Sequence, residues 1–128
     1  MDGVVAIVNY NGKILLGKKR SDSPKFFAGK WHVPGGTIEE GESDEIALIR
    51  EIKEEANLNI TVGKYLGENS SPTHRNLRWY ECSAETDKAI AGSDLEDVKW
   101  VGKNEVLSSV DSRLVSLLSE DIINYFLS

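Results

Sequence analysis

Residues 36–58 read Gly36-Thr37-Ile38-Glu39-Glu40-Gly41-Glu42-Ser43-Asp44-Glu45-Ile46-Ala47-Leu48-Ile49-Arg50-Glu51-Ile52-Lys53-Glu54-Glu55-Ala56-Asn57-Leu58. Ser43 and Asp44 are good helix-start residues, and Asp44 and Glu45 put negative charge where the helix dipole favours it. No Gly or Pro follows before Asn57, so the pattern predicts a helix over about residues 44–56. At roughly 100° per residue, Ile46, Leu48, Ile49, Ile52 and Ala56 share one broad arc, the expected core-facing stripe. Glu51, Glu54 and Glu55 share another, with small Ala47 among them. Three carboxylates at such spacing repel one another and cost a bare helix a few tenths of a kcal/mol per pair. A fold keeps such a face where a cation sits among them. Hard oxygen donors in this number suit Mg²⁺ or Mn²⁺ rather than zinc.

A solvated surface is the ordinary reading of an acidic helix face. It leaves unexplained the turn Pro34-Gly35-Gly36, one short loop ahead of that same face. Two glycines let the backbone approach a ligand closely and leave its carbonyls and amides open to it. Arg50 borders the carboxylate arc, where it can partly neutralise the charge and orient Glu51. Asn57 ends the helix at a position expected to take positive φ, which Asn tolerates best after Gly.

The spacing Gly36, five residues, Glu42, seven residues, then Arg50-Glu51-Ile52-Lys53-Glu54-Glu55-Ala56-Asn57-Leu58 resembles the Nudix box. It departs only at Asn57, where the box has Gly. The resemblance is close over the box and looser over the rest of the chain. It implies an α/β (α+β) fold, a Nudix-type α/β/α sandwich with a mixed sheet. It also implies a catalytic site of Arg50, Glu51, Glu54 and Glu55. The Gly35 carbonyl, Glu51, Glu54 and Glu55 would be metal ligands, with Glu51 a ligand or the base for an attacking water. Glu42 and Arg50 would be chiefly structural partners. A further acidic ligand is expected before the last strand, within Gly92-Ser93-Asp94-Leu95-Glu96-Asp97, and Glu96 is the choice there over Asp94 and Asp97. Arg20, after the second predicted strand, matches a position that often contacts substrate phosphates in the family.

The remaining elements alternate. Val4–Tyr10 and Lys13–Lys18 read as strands joined by Asn11-Gly12, a strong hairpin signal. Residues 20–30 form a loop carrying Phe26 and Phe27, and Trp31–Val33 is a short strand leading into the glycine turn. Further strands are expected at Ile60–Gly67, Leu77–Ala84 and Val98–Val101, with a loop over Asn69–His74. Leu114, Leu117, Leu118, Ile122, Tyr125 and Phe126 recur at helical spacing and predict one C-terminal amphipathic helix. Lys18, Lys19, Arg20, Lys25 and Lys30 cluster ahead of the acidic helix, and charge-assisted bonds to phosphate are favoured for Arg20. Phe26, Phe27, Trp79, Tyr80 and Trp100 are candidates for stacking on a base, Phe27 foremost. Core roles are the better reading for Trp31, Trp79 and Trp100. His32 and His74 have no partners at ligand spacing and are assigned no role.

With 128 residues and 40% hydrophobic content, the chain is expected to be one domain, residues 1–128. No long apolar run or leader is visible, so neither a membrane span nor a signal peptide is expected. Cys82 is the lone cysteine and reads as a buried thiol in a reducing cytoplasm. A net charge of −6 argues against binding nucleic acid or anionic membrane. The resemblance implies a Mg²⁺-dependent hydrolase (Mn²⁺ also serving) for a nucleoside diphosphate linked to another group, acting as monomer or homodimer. Its expected substrate is a small-molecule nucleotide, a nucleoside triphosphate, oxidised or not, giving the monophosphate and pyrophosphate. The alternatives are an ADP-ribose or nucleotide-sugar pyrophosphatase, to which Pro72 lends slight weight, and a sensing module without hydrolysis. A sensor is expected to lack box carboxylates, and this chain keeps them all.

Overall fold

The computed structural model describes residues 1–25 and 27–128. Phe26 lies outside the described residues. Strands β1 (Asp2–Tyr10) and β2 (Lys13–Lys19) are joined by Asn11 and Gly12 at φ 52° and 81°. Both angles lie in the left-handed region that a two-residue hairpin turn requires. β3 (Trp31–His32) and β4 (Gly35–Thr37) are short, and helix α1 (Asp44–Ala56) follows. Then come β5 (Ile60–Asn69), β6 (Asn76–Ala84) and β7 (Leu95–Gly102). The chain ends in a short 3₁₀ turn (Lys103–Glu105), α2 (Val106–Ser109), α3 (Ser112–Leu117) and α4 (Glu120–Leu127).

The strands form one mixed sheet in the order β3-β2-β1-β6-β5, with β4 on β1 and β7 on β2. β1 is central. It pairs antiparallel with β2 only at the hairpin end, and at its start with β4. Along its whole length it runs parallel to β6, from Asp2 opposite Asn76 to Asn9 opposite Ser83. Alternation along β1 and β2 then sorts the two faces. Val4, Ala6, Val8 and Leu15 pack against Leu48, Ile52 and Ala56 of α1. Val5, Ile7, Ile14 and Leu16 pack with Trp79 against Ile122 and Phe126 of α4. Helices on both faces of a mixed sheet make the expected sandwich. Trp79 and Cys82 are buried, and burial pushes the Cys82 thiol up to about 12.

Helix α1 begins as expected, the Ser43 hydroxyl accepting from the Ile46 N–H at 3.2 Å. It ends with Asn57 at φ 55°, ψ 38°, whose N–H returns to the Lys53 carbonyl. The expected apolar stripe is rotated, however. Ala47, Leu48, Ile52, Glu55 and Ala56 are buried, whereas Ile46 and Ile49 are 56% and 39% exposed. The buried arc is thus centred on Leu48 and Glu55, and one carboxylate of the acidic face points to the interior.

The predicted single C-terminal helix is also corrected. Leu118 is extended (ψ 141°), separating α3 from α4, and Ser119 stands at the start of α4 ahead of Glu120 and Asp121. Those residues form a helix-start signal inside the apolar repeat. Breaking there lets Leu114, Ile122 and Phe126 all be buried. Among the described residues no helix is long and apolar enough to cross a membrane.

Candidate active site

The carboxylates of α1 face the glycine turn because β4 is fastened to the start of β1. Gly3, Val4 and Val5 stand opposite Thr37, Gly36 and Gly35, and the Ala6 N–H donates to the Pro34 carbonyl at 2.9 Å. At Gly35 a Cβ would overlap the Val4 carbonyl, and at Gly36 it would overlap the Glu51 carboxyl. Glycine is therefore required at 35, to lie against the β1 backbone, whereas at 36 a side chain would displace the Glu51 carboxyl from its place. The Gly35 N–H donates to Glu55 Oε1 at 3.2 Å, coupling turn and helix directly.

Arg50 organises the carboxylates around it. Nε and Nη2 grip Glu42 in a two-pronged pair at 2.7 and 2.8 Å. Nη2 also donates to the Thr37 carbonyl at 3.0 Å, and Nη1 to Glu51 Oε1 at 2.9 Å and Glu54 Oε1 at 2.8 Å. The Arg50 pair, with the Glu39 N–H, holds the Glu42 carboxyl down at about 2. Glu51 shifts the other way because burial outweighs the pull of Arg50. Glu55 is pushed furthest, to about 8, first by burial and then by the charge of Glu51. A buried carboxyl beside a second one, with a single backbone N–H as its hydrogen-bond partner among the described residues, is a poorly compensated negative centre.

These groups line a cleft of about 860 Å³ that also takes in Lys19, Lys25, Phe27, His32, His74 and Asp94. Five of the expected site residues are therefore brought together with Arg50: Phe27, Gly35, Glu51, Glu54 and Glu55. Two are not. Arg20 follows the end of β2, and its guanidinium pairs with exposed Asp22 at 3.1 and 3.2 Å. Lys19 occupies the cleft instead. It shares the parity of Leu15, which faces α1, so strand alternation was the available signal. Glu96 is the second correction. β7 begins at Leu95, earlier than expected, and Glu96 accepts from the Ser21 N–H at 2.7 Å while pairing with Lys18 at 3.2 Å.

The loop acid that reaches the cleft is Asp94. Its loop is clipped to the end of α1, the Ile90 N–H donating to the Ala56 carbonyl and the Gly92 N–H to the Glu55 carbonyl, each at 2.9 Å. Asp94 Oδ2 accepts from Lys25 at 2.7 Å and Lys19 at 3.3 Å, which keep its carboxyl below its usual range. Two further residues were missed at the sequence level. His74 joins its Nε2 to the Thr37 hydroxyl at 2.8 Å and its Nδ1 to the Thr73 hydroxyl at 2.9 Å. His32 is buried beneath Phe27, the ring centroids 6.3 Å apart.

The donor set fits a hard divalent ion: clustered glutamates, one of them buried and poorly compensated, beside a turn that only glycine can make. Among the described residues no three acidic, His or Cys side chains converge tightly enough to hold an ion as they stand. Arg50 takes one oxygen each of Glu51 and Glu54, and each of those carboxylates carries a second.

Residues 2–118 match the family model described as the NUDIX domain. The chain belongs to the Nudix family. It is 33% identical over 112 residues to a protein of Mycobacterium tuberculosis named putative 8-oxo-dGTP diphosphatase 2, covering 77% of this chain and 79% of that one. Over 66 residues it is 41% identical to the CTP pyrophosphohydrolase of Escherichia coli K12, covering 52% of this chain and 47% of that protein. The chain thus spans under half the length of the latter relative. The fold matches the crystal structure of a MutT protein from Methanosarcina mazei Go1 with a TM-score of 0.75 at 21% identity, covering 98% of this chain and 89% of that one.

Proposed function

We propose that this Nudix chain hydrolyses a phosphoanhydride bond in a nucleoside triphosphate, releasing the monophosphate and pyrophosphate. The observation that carries the reading is the position of Glu51, Glu54 and Glu55 against a glycine turn, in a cleft that also presents lysines. Glu51, Glu54, Glu55 and the Gly35 carbonyl would hold Mg²⁺, which supplies charge neutralisation on phosphate and activation of water. Asp94 replaces Glu96 as the additional acidic residue of the site. Lys19 and Lys25, already in the cleft, bind phosphate oxygens in place of Arg20. Arg50 fixes the rotamers of Glu51 and Glu54, and Glu51 takes the proton of the attacking water. The substrate class follows the names of the mycobacterial and E. coli relatives, each of which refers to a nucleoside triphosphate.

A panel of nucleoside triphosphates, ADP-ribose and nucleotide sugars assayed with Mg²⁺ tests the reading. Turnover should vanish with chelator, return with Mg²⁺ or Mn²⁺, and give pyrophosphate from a triphosphate. In ¹⁸O-labelled water, label should enter one phosphate-containing product in a single turnover. Orthophosphate as the main product, or a trapped phospho-enzyme, would sink the proposal, since the box has no Cys or His for a covalent route and its one Ser, Ser43, is engaged as the cap of α1.

A further inference from the structure

One wall of the cleft carries a group that phosphate chemistry does not use. His32 on β3 is 7% exposed, and its Nδ1 lies 3.1 Å from the Val33 carbonyl oxygen. A carbonyl oxygen only accepts, so Nδ1 carries the ring hydrogen. Burial holds the ring far below its usual range, at about 4, and it is neutral near pH 7. Nε2 is therefore a bare acceptor. Three buried side-chain polar atoms lack a hydrogen-bond partner among the described residues: Asp2 Oδ1, His32 Nε2 and Ser119 Oγ. Of the three, His32 is the one that lines the cleft. Phe27 stacks on the imidazole with the planes 24° from parallel, and Arg113 lies over the Phe27 ring at 5.6 Å, so the acceptor belongs to an aromatic stack.

A buried acceptor left unpaired is unfavourable, and a ligand that brings a donor relieves it, whereas one that brings a second acceptor does not. A base offers both an aromatic face and a polar edge. We infer that His32 Nε2 reads a hydrogen-bond donor on the substrate's base, selecting bases with an exocyclic amino group over their keto counterparts. The inference rests on the nucleotide-hydrolase reading and adds a substrate subclass to it. The neighbouring carbonyl fixes the polarity of the reader: with Nδ1 committed to Val33, the ring cannot turn a donor toward a keto oxygen.

Calorimetric binding of non-hydrolysable α,β-methylene analogues of CTP, UTP, ATP and ITP with Mg²⁺ tests it without turnover. In one or both pairs, CTP over UTP or ATP over ITP, the amino member should bind at least about tenfold tighter. His32→Phe should bring the two members within about threefold, and His32→Asn, which keeps an acceptor oxygen, should restore part of the preference. If the Phe variant does not fold, His32→Leu makes the same comparison. Equal affinities within both pairs for the unaltered protein, or a preference that survives loss of the acceptor, overturn the inference while leaving hydrolysis intact. Failure of all four analogues to bind overturns the proposed function along with it.

Discussion

The two ends of α1 treat a carboxylate in opposite ways. At the first turn, Asp44 accepts from Arg78 Nε and Nη2 at 2.7 and 2.8 Å and from the Tyr80 hydroxyl at 2.6 Å. Arg78 holds its carboxyl below the usual range. At the last turn, Glu55 is more deeply buried, receives one backbone N–H, faces Glu51, and is held up at about 8. The first end is a clamp between helix and β6, complete in itself. The second stores an unfavourable interaction that the fold alone does not relieve. Both are acidic residues of one helix, and their partners decide which is structural and which is chemical.

The largest effect should come from breaking the chemical end. Glu54→Gln or Glu55→Gln should lower kcat by about a thousandfold or more while leaving the circular dichroism spectrum intact. If both variants turn over near the normal rate, the metal assignment is wrong.

Next in size is the pH dependence in chelator, where the ends should oppose each other. The folded-state value of Glu55 is raised, so its contribution to stability is present below about pH 4.5 and lost as pH rises toward 8. Between pH 5.5 and 8 the loss is on the order of 3 kcal/mol at about 1.4 kcal/mol per unit. Chelated protein should therefore melt at lower temperature at pH 8 than at pH 5.5, and Glu55→Gln should flatten the slope. Identical slopes in the two proteins would show that Glu55 is not the group being titrated. Asp44 has the opposite sign, its contribution present above about pH 4 and lost in acid.

A smaller change is expected from breaking the clamp. Arg78→Met should cost about 2 kcal/mol near neutral pH, and less in strong acid once Asp44 is protonated. Urea unfolding at the two pH values checks this, and an equal loss at both would mean the arginine acts by packing alone. Smallest are the changes at the helix stop. Asn57→Val should cost about 1–2 kcal/mol through left-handed strain, and Asn57→Gly should be neutral or stabilising. Thermal melts in which Val equals Asn would contradict the observed φ of 55°.

The contrast between the ends also marks what a sequence can carry. The bounds of α1, its Ser43 cap, the Asn57 stop and the Asn11-Gly12 hairpin are written in local residues, and each was legible. Grouping Glu51, Glu54 and Glu55 needed only the helical period. Which arc faces inward needed the partner surface: Ile46 and Ile49 lie on the side that α1 turns away from β1, while Glu55 is drawn in beneath the Gly35 turn. Asp94 was unreadable for a similar reason. Its place depends on two backbone bonds from its loop to the end of α1, and no side-chain pattern announces these. Lys19 was within reach, since strand parity separates it from Lys18. The break at Leu118 was legible too, in Ser119-Glu120-Asp121, but the apolar repeat running through it was the louder signal.

The pairing of β1 with β6 has a consequence for assembly. Asp2 to Asn9 of β1 find their β6 partners roughly 74 positions later, and the glycine turn is held by that same strand. Such non-local closure is slow because loop entropy must be spent before the contacts return it. On a ribosome, α1 and the glycine turn emerge together, but β1, the strand that holds the turn, waits for residues 76–83 to complete its pairing. The acidic face is therefore made early and confined late, and its repulsion is borne in water until the last part of the sheet closes.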